Sequence, residues 1–330
     1  MKIITVEEHI SGAPIDRYLA KYSAQDAPYM SAAHVSGRPY EADPQLFGDT
    51  DKCRIADMDE NGITVQILSC PAKSQLLPKD EAPAIVSETN DFLADTVKRH
   101  PDRYGAFALL PWSNPKACVK EAERIKRAGF HGILLSGRAS GDDAFLDDKK
   151  FLPVLEACEA LELPIYIHPG APLKAVQKSY YGGLGDEVSA RLSLHGWGWH
   201  NEAGIQILRT ILAGRFDRFP SLQLIAGHWG EMLPFFLSRV DQSLPQAVTG
   251  LNRTVTDTFK QNVYVTPSGI FDYPQLKFCT EVLGADRIIH SVDCPFISNS
   301  GAAAFIENAP LAQNEKELIA YKNAEKLFKL

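Results

Sequence analysis

Residues Asn114 to Ser136 read NPKACVKEAERIKRAGFHGILLS. Asn114 supplies a helix cap, and Pro115 fills a first-turn position that needs no amide hydrogen. Cys118, Ala122 and Ile125 then recur on one helical face, and Gly129 stops the helix. The run Gly132 to Ser136 is apolar without alternation, as in a parallel strand covered on both faces. One complete helix–strand unit is therefore written in these residues.

The same rhythm extends in both directions. Strand-like runs occur at Ile3 to His9, Thr64 to Ser69, Tyr104 to Leu110, Gly132 to Ser136, Pro164 to His168, Leu222 to His228, Val263 to Pro267 and Arg287 to Asp293. Helical spacing follows most of them, and a last helix is expected over Glu315 to Leu327. This order predicts an α/β fold, a (β/α)8 TIM barrel formed by residues 1–330 as a single domain. Long insertions are expected after the first and fifth strands, at Ile10 to about Arg54 and Gly170 to about Glu202. Both read as loops without periodicity, and Trp197 and Trp199 mark the second as an ordered lid or subunit contact.

With 330 residues, 45% of them hydrophobic, the chain can bury a large core. A net charge of -7 with scattered lysines and arginines supplies no field for a nucleic-acid backbone, so nucleic acid is excluded as a partner. No run has the length of a bilayer span and the opening apolar run is too short for a signal peptide, so a cytoplasmic location is expected. The six cysteines show no paired spacing and are read as reduced core residues.

Strand C-terminal ends in a barrel converge on one face, and four of them carry chemistry here. Glu7 and His9 lie two apart on a strand and project together. His168 ends the fifth strand and Asp293 the eighth. Two carboxylates and two imidazoles without thiolate suit Zn²⁺ or Mn²⁺, with Zn²⁺ as the default. Glu8, directed the other way, is read as salt-bridged or solvated, and His195, His200 and His290 as structural histidines. Cys294 points away from the site if the strand persists.

At these residues the chain resembles the amidohydrolase superfamily, in its branch of nonoxidative aromatic acid decarboxylases that includes γ-resorcylate and 2,3-dihydroxybenzoate decarboxylases. The motifs are Glu7-x-His9, His168-Pro169, Gly227-His228-Trp229-Gly230-Glu231, Gly284-Ala285-Asp286-Arg287, Ser291-x-Asp293-x-Pro295 and the ending Asn323 to Phe328. Many superfamily hydrolases open with His-x-His and hold two metals through a carboxylated lysine. Here Glu7 replaces the first histidine and no lysine ends the fourth strand, which disfavours a binuclear hydrolase.

The resemblance implies one divalent metal per subunit, Zn²⁺ or Mn²⁺, in a homodimer or homotetramer acting on a small aromatic carboxylate. It implies decarboxylation of an ortho-hydroxylated benzoate, with Asp293 delivering the proton to the ring carbon. His228 and Glu231 are expected to form an acid/base pair, the carboxylate orienting the imidazole; the competing reading is that they cap a helix after the sixth strand. Arg239 matches a family arginine near the substrate, from the same or a neighbouring subunit, against a surface salt bridge as the alternative. Ser136 stands where some relatives carry asparagine and is expected to touch ring substituents. A mononuclear hydrolase of a lactone or carbon–carbon bond is the second functional class, with Asp293 taking a proton from water. A noncatalytic metal-dependent scaffold would need no proton donor.

Overall fold

The computed structural model describes residues 1–27, 42–139, 141 and 144–330. Seven strands form one curled sheet in sequential order: β1 (Ile4–His9), β2 (Val65–Ser69), β3 (Tyr104–Ala108), β4 (Gly132–Ser136), β5 (Ile165–His168), β6 (Leu224–Ala226) and β7 (Val263–Val265). Every neighbouring pair is parallel. Parallel neighbours need a crossover, and helices such as Ala82–Arg99, Pro115–Arg127 and Leu152–Ala160 supply it. The Pro115–Arg127 helix begins as its residues dictate: Asn114 Oδ1 accepts from the Ala117 amide at 3.3 Å, and Cys118, Ala122 and Ile125 are buried.

The interior of the curl takes side chains from each strand. Ile4 and Val6, Ile67, Phe107, Leu134, Tyr166, Ile225 and Tyr264 form one buried cluster with Ile289 from the segment after β7. Ala324 and Phe328 of the last helix, Asn323–Phe328, join it, with the Phe328 ring 5.5 Å from Phe107. Burying each large side chain stabilises by about 1.5–3 kcal/mol, so this layer fixes the spacing of the strand ends that carry the site. The architecture is α/β and TIM-like.

The eighth expected strand differs from a regular one. Residues Ala285–Arg287 make a single 3₁₀ turn, Ile288 bridges Val265, and the Ile289 amide donates to Val265 O at 3.0 Å. On the other side the His9 amide donates to Cys294 O at 2.6 Å. The segment thus touches both β7 and β1, but its other backbone donors are taken elsewhere: His290 by Ile319 O, and Val292 and Cys294 by the Glu8 carboxylate. A continuous ladder cannot form with those donors spent.

The insertions also differ from the expected aperiodic loops. Helices Asp16–Asp26 and Pro44–Gly48 occupy the first, of which residues 28–41 lie outside those described. The second winds through Lys174–Val176, the π turn Gln177–Tyr181 and Asp186–Ser193 into the helix Gly198–Leu212. Among the described residues, no helix is long and apolar enough to cross a membrane.

Candidate metal centre and active site

A bulge in β1 aims the first two groups of the site. Ile4 and Thr5 pair with Val65 and Gln66, but Glu8 and His9 pair with Leu68 and Ser69, so β1 carries one residue more than β2 across this interval. Strict alternation from Ile4 and Val6 in the interior would have turned Glu8 inward. The extra residue turns Glu7 and His9 inward instead.

Ligating atoms of Glu7, His9, His168 and Asp293 all lie within 4.8 Å of one another. His9 Nε2 is 3.1 Å from Asp293 Oδ1, and His168 Nε2 is 3.9 Å from Glu7 Oε1. Glu7 Oε1, His9 Nε2 and Asp293 Oδ1 are buried without a hydrogen bond. Buried polar atoms are ordinarily paired, so three orphans converging on one point have the chemistry of a cation site. The outward atoms are engaged: His9 Nδ1 shares a hydrogen bond with Ser69 Oγ at 3.0 Å, and His168 Nδ1 donates to Pro169 O at 2.8 Å. That fixes each ring with Nε2 inward, as metal-binding histidines require. Ser268 Oγ donates to Glu7 Oε2 and also accepts from the His228 amide at 2.9 Å. Burial pushes the Glu7 and Asp293 carboxyls up. It drives His9 down to about 3 and His168 well below the usual imidazole range. All four groups resist their charged or protonated forms until something positive balances the carboxylates.

A second cluster stands beside the first. After β6 the chain enters a left-handed turn, with φ of +48° at His228, +58° at Trp229, +81° at Gly230, +53° at Glu231 and +66° at Met232. Consecutive non-glycine residues here are strained, and such strain concentrates at functional sites. The turn brings His228 Nδ1 to Glu231 Oε1 at 2.9 Å, while His200 Nδ1 donates to Glu231 Oε2 at 2.8 Å. Burial would raise Glu231, but the two imidazoles hold it below its ordinary range. Burial would likewise lower His228 and His200, but Glu231 keeps both above theirs. The competing helix-cap reading of His228 and Glu231 does not hold: Glu231 binds two imidazoles, and the helix Leu233–Ser243 that follows has no side-chain cap.

Both clusters open into a cavity of about 360 Å³. His168, Asp293, His228 and His200 line it, together with Ser136 and Lys73. Ser136 pairs in register with His168, and its buried Oγ has no hydrogen-bond partner. Arg239 is exposed on the helix Leu233–Ser243 and is not among the lining side chains. Trp199 lines the cavity whereas Trp197 is exposed.

Three readings of single residues need correction. His195 and His200, read as structural, line the cavity, whereas His290 is buried with Nε2 donating to Ala302 O at 3.1 Å. Glu8 is not solvated: it is fully buried, and its carboxylate accepts the Val292 and Cys294 backbone amides. Sequence reasoning also passed over Ser268, although it follows β7 where strand-end residues gather. For His200, inside the second insertion, no sequence signal was present.

An amidohydrolase family model matches residues 51–330. The γ-resorcylate decarboxylase of Polaromonas sp. (strain JS666) is 34% identical over 320 residues, covering 94% of this chain and 96% of the relative. Among solved structures, a dihydroxybenzoic acid decarboxylase from the same organism, with bound manganese and the inhibitor 2-nitroresorcinol, superposes with a TM-score of 0.85 at 30% identity, covering 100% and 97% of the two chains. The 5-carboxyvanillate decarboxylase of Novosphingobium aromaticivorans, complexed with manganese and 4-hydroxy-3-methoxy-5-nitrobenzoic acid, gives 0.88 at 30% identity, covering 100% and 96%.

Proposed function

Because the chain belongs to the amidohydrolase family, in its branch of aromatic acid decarboxylases, we propose that it releases carbon dioxide from an ortho-hydroxylated benzoate. Glu7, His9, His168 and Asp293 would hold one divalent ion, and Asp293 would protonate the ring carbon. The observation that carries this reading is the convergence of those four side chains, three of them with orphaned inner atoms, beside a cavity lined by His168, Asp293, His200 and His228. Mn²⁺ is the first ion to load, given the manganese in the two solved relatives, with Zn²⁺ as the alternative.

Held by Glu7, His9, His168 and Asp293, a divalent ion would supply a template and Lewis-acid stabilisation for the anionic substrate. Asp293, which lines the cavity, transfers its proton to the carbon bearing the carboxylate. The carbon–carbon bond then breaks, its electron pair restores the aromatic ring, and carbon dioxide leaves. Asp293 ends as carboxylate and regains a proton from water. His228 and His200, held protonated by Glu231, face the same cavity and offset the anionic charge of the substrate.

Ser136 Oγ, buried and unpartnered on the cavity wall, is suited to a hydroxyl on the ring. Arg239 is read as serving the cavity of a second copy in a homodimer or homotetramer, since exposed Phe235 and Phe236 share its helix. Residues 287–294, bonded on both flanks, are read as closing the (β/α)8 barrel.

The test is turnover of a panel of ortho-hydroxybenzoates by enzyme reconstituted with Mn²⁺ or Zn²⁺, followed by carbon dioxide release. Release from at least one member is expected. Hydrolysis of a lactone or acyl compound, with no carbon dioxide from the panel, would overturn the reading.

A further inference from the structure

Glu8 and Arg54 are both fully buried ionisable side chains, and neither lines the cavity. Glu8 accepts from the Val292 amide through Oε1 at 3.0 Å and from the Cys294 amide through Oε2 at 3.2 Å. Its two oxygens therefore straddle Asp293. Asp293 itself has φ of +68°, a left-handed backbone that costs a non-glycine residue on the order of 1–3 kcal/mol unless its surroundings hold it.

Arg54 grips the opposite polarity of the same segment. Its Nη1 donates to His9 O at 2.6 Å and its Nη2 to Cys294 O at 3.2 Å. Nε donates to Gln66 Oε1 at 2.7 Å, and Gln66 Nε2 reaches Glu8 Oε2 at 3.4 Å, closing the ring. Side chains of both charges thus bind the backbone that carries His9 and Asp293, at the seam between β1 and residues 287–294 that lacks a continuous ladder. Charge-assisted hydrogen bonds of this kind are about twice as strong as neutral ones.

We propose that Glu8 and Arg54 are positioning residues: a buried brace that holds the left-handed turn at Asp293 and sets its carboxylate against His9. The proposal rests on the reading of Asp293 as ligand and proton donor. An error of about 1 Å in aiming a reacting group can cost about 10²-fold in rate, so the brace acts on catalysis without touching substrate.

Glu8→Gln places an amide NH₂ against one backbone N–H, losing half of the straddle. Arg54→Lys keeps the charge but loses the fork that reaches two carbonyls at once. Asn90→Ala is the comparison variant, because Asn90 braces the Leu109 backbone through two hydrogen bonds of 2.9 Å, apart from the ligands. Mn²⁺ affinity, kcat per folded and loaded molecule, and the solvent deuterium isotope effect on kcat are measured on all three.

Glu8→Gln and Arg54→Lys are expected to bind Mn²⁺ roughly 10–100-fold more weakly. Their kcat should fall about 10²-fold with a larger isotope effect and little change in KM. Asn90→Ala should lose thermal stability alone. Wild-type affinity and kcat in the first two variants, or equal losses in Asn90→Ala, would overturn the brace. If the wild type binds Mn²⁺ but decarboxylates no ortho-hydroxybenzoate, the proposed function fails and Mn²⁺ affinity alone decides the brace.

Discussion

Two clusters, each of two histidines with buried carboxylate, reach the same cavity, one through His168 and Asp293 and the other through His200 and His228. In the first, His9 and His168 turn Nε2 toward Glu7 and Asp293, and the inner atoms of Glu7, His9 and Asp293 have no hydrogen bond. In the second, His200 and His228 each donate Nδ1 to a different oxygen of Glu231. The electrostatic consequences are opposite. Burial drives the first imidazoles down, while Glu231 holds the second pair up. The same residue types thus leave inner atoms without hydrogen bonds in one place and form a closed hydrogen-bonded network in the other. What separates them is whether the polar atoms already have partners.

The comparison breaks hardest at Asp293. Asp293→Asn keeps the shape but removes the transferable proton, and kcat should fall about 10⁴-fold, the upper end for proton transfer. Steady-state carbon dioxide release measures it, and near-wild-type turnover would remove Asp293 from the mechanism. Glu231→Gln is next, with kcat down about 10²-fold and Mn²⁺ binding intact.

That variant also moves the pH profile. In the wild type the imidazoles stay protonated until the pH rises through values above their ordinary range near 6.5. The alkaline limb of kcat should therefore lie above that pH and shift downward in Glu231→Gln. An unmoved limb would show that the trio's charge does not govern the rate.

Ser69→Ala, which frees His9 Nδ1, should weaken Mn²⁺ about 10-fold, read by metal titration. His290, away from the site, supplies the most general contrast: burial lowers it to about 4, with no carboxylate to oppose. Its folded-state value lies below the unfolded one of 6.5, so the unfolded chain binds more protons between them. Stability is then present above about 6.5 and lost as pH falls toward 4, by on the order of 3 kcal/mol for this group. Urea unfolding at pH 7 and pH 5 measures it, and His290→Asn should flatten the dependence.

Both-face-buried strands such as Gly132–Ser136 are legible because an apolar run between helical patterns admits few other readings. Glu7, His9, His168 and Asp293 are legible because strand ends converge in this architecture. The bulge that turns Glu7 and His9 inward is not, since it depends on the register of β1 against β2. Nor is the left-handed turn at His228–Met232, to which the distant His200 and Ser268 are bonded. There the space leaves no room at Gly230, where an added Cβ would meet Pro234 and Val265 at 2.9 Å. The burial of Glu8 is illegible for the same reason: its partners are backbone amides 284 and 286 residues away. Arg239, matched by sequence resemblance to a residue near the substrate, is exposed and does not line its own chain's cavity.

The contrast between the clusters is tested most directly by counting Mn²⁺ ions, using electron paramagnetic resonance on wild type, His168→Ala and Glu231→Gln. The account predicts one tightly bound ion per chain in wild type and in Glu231→Gln, and none in His168→Ala. A second ion in wild type, or loss of the ion in Glu231→Gln with retention in His168→Ala, would contradict it.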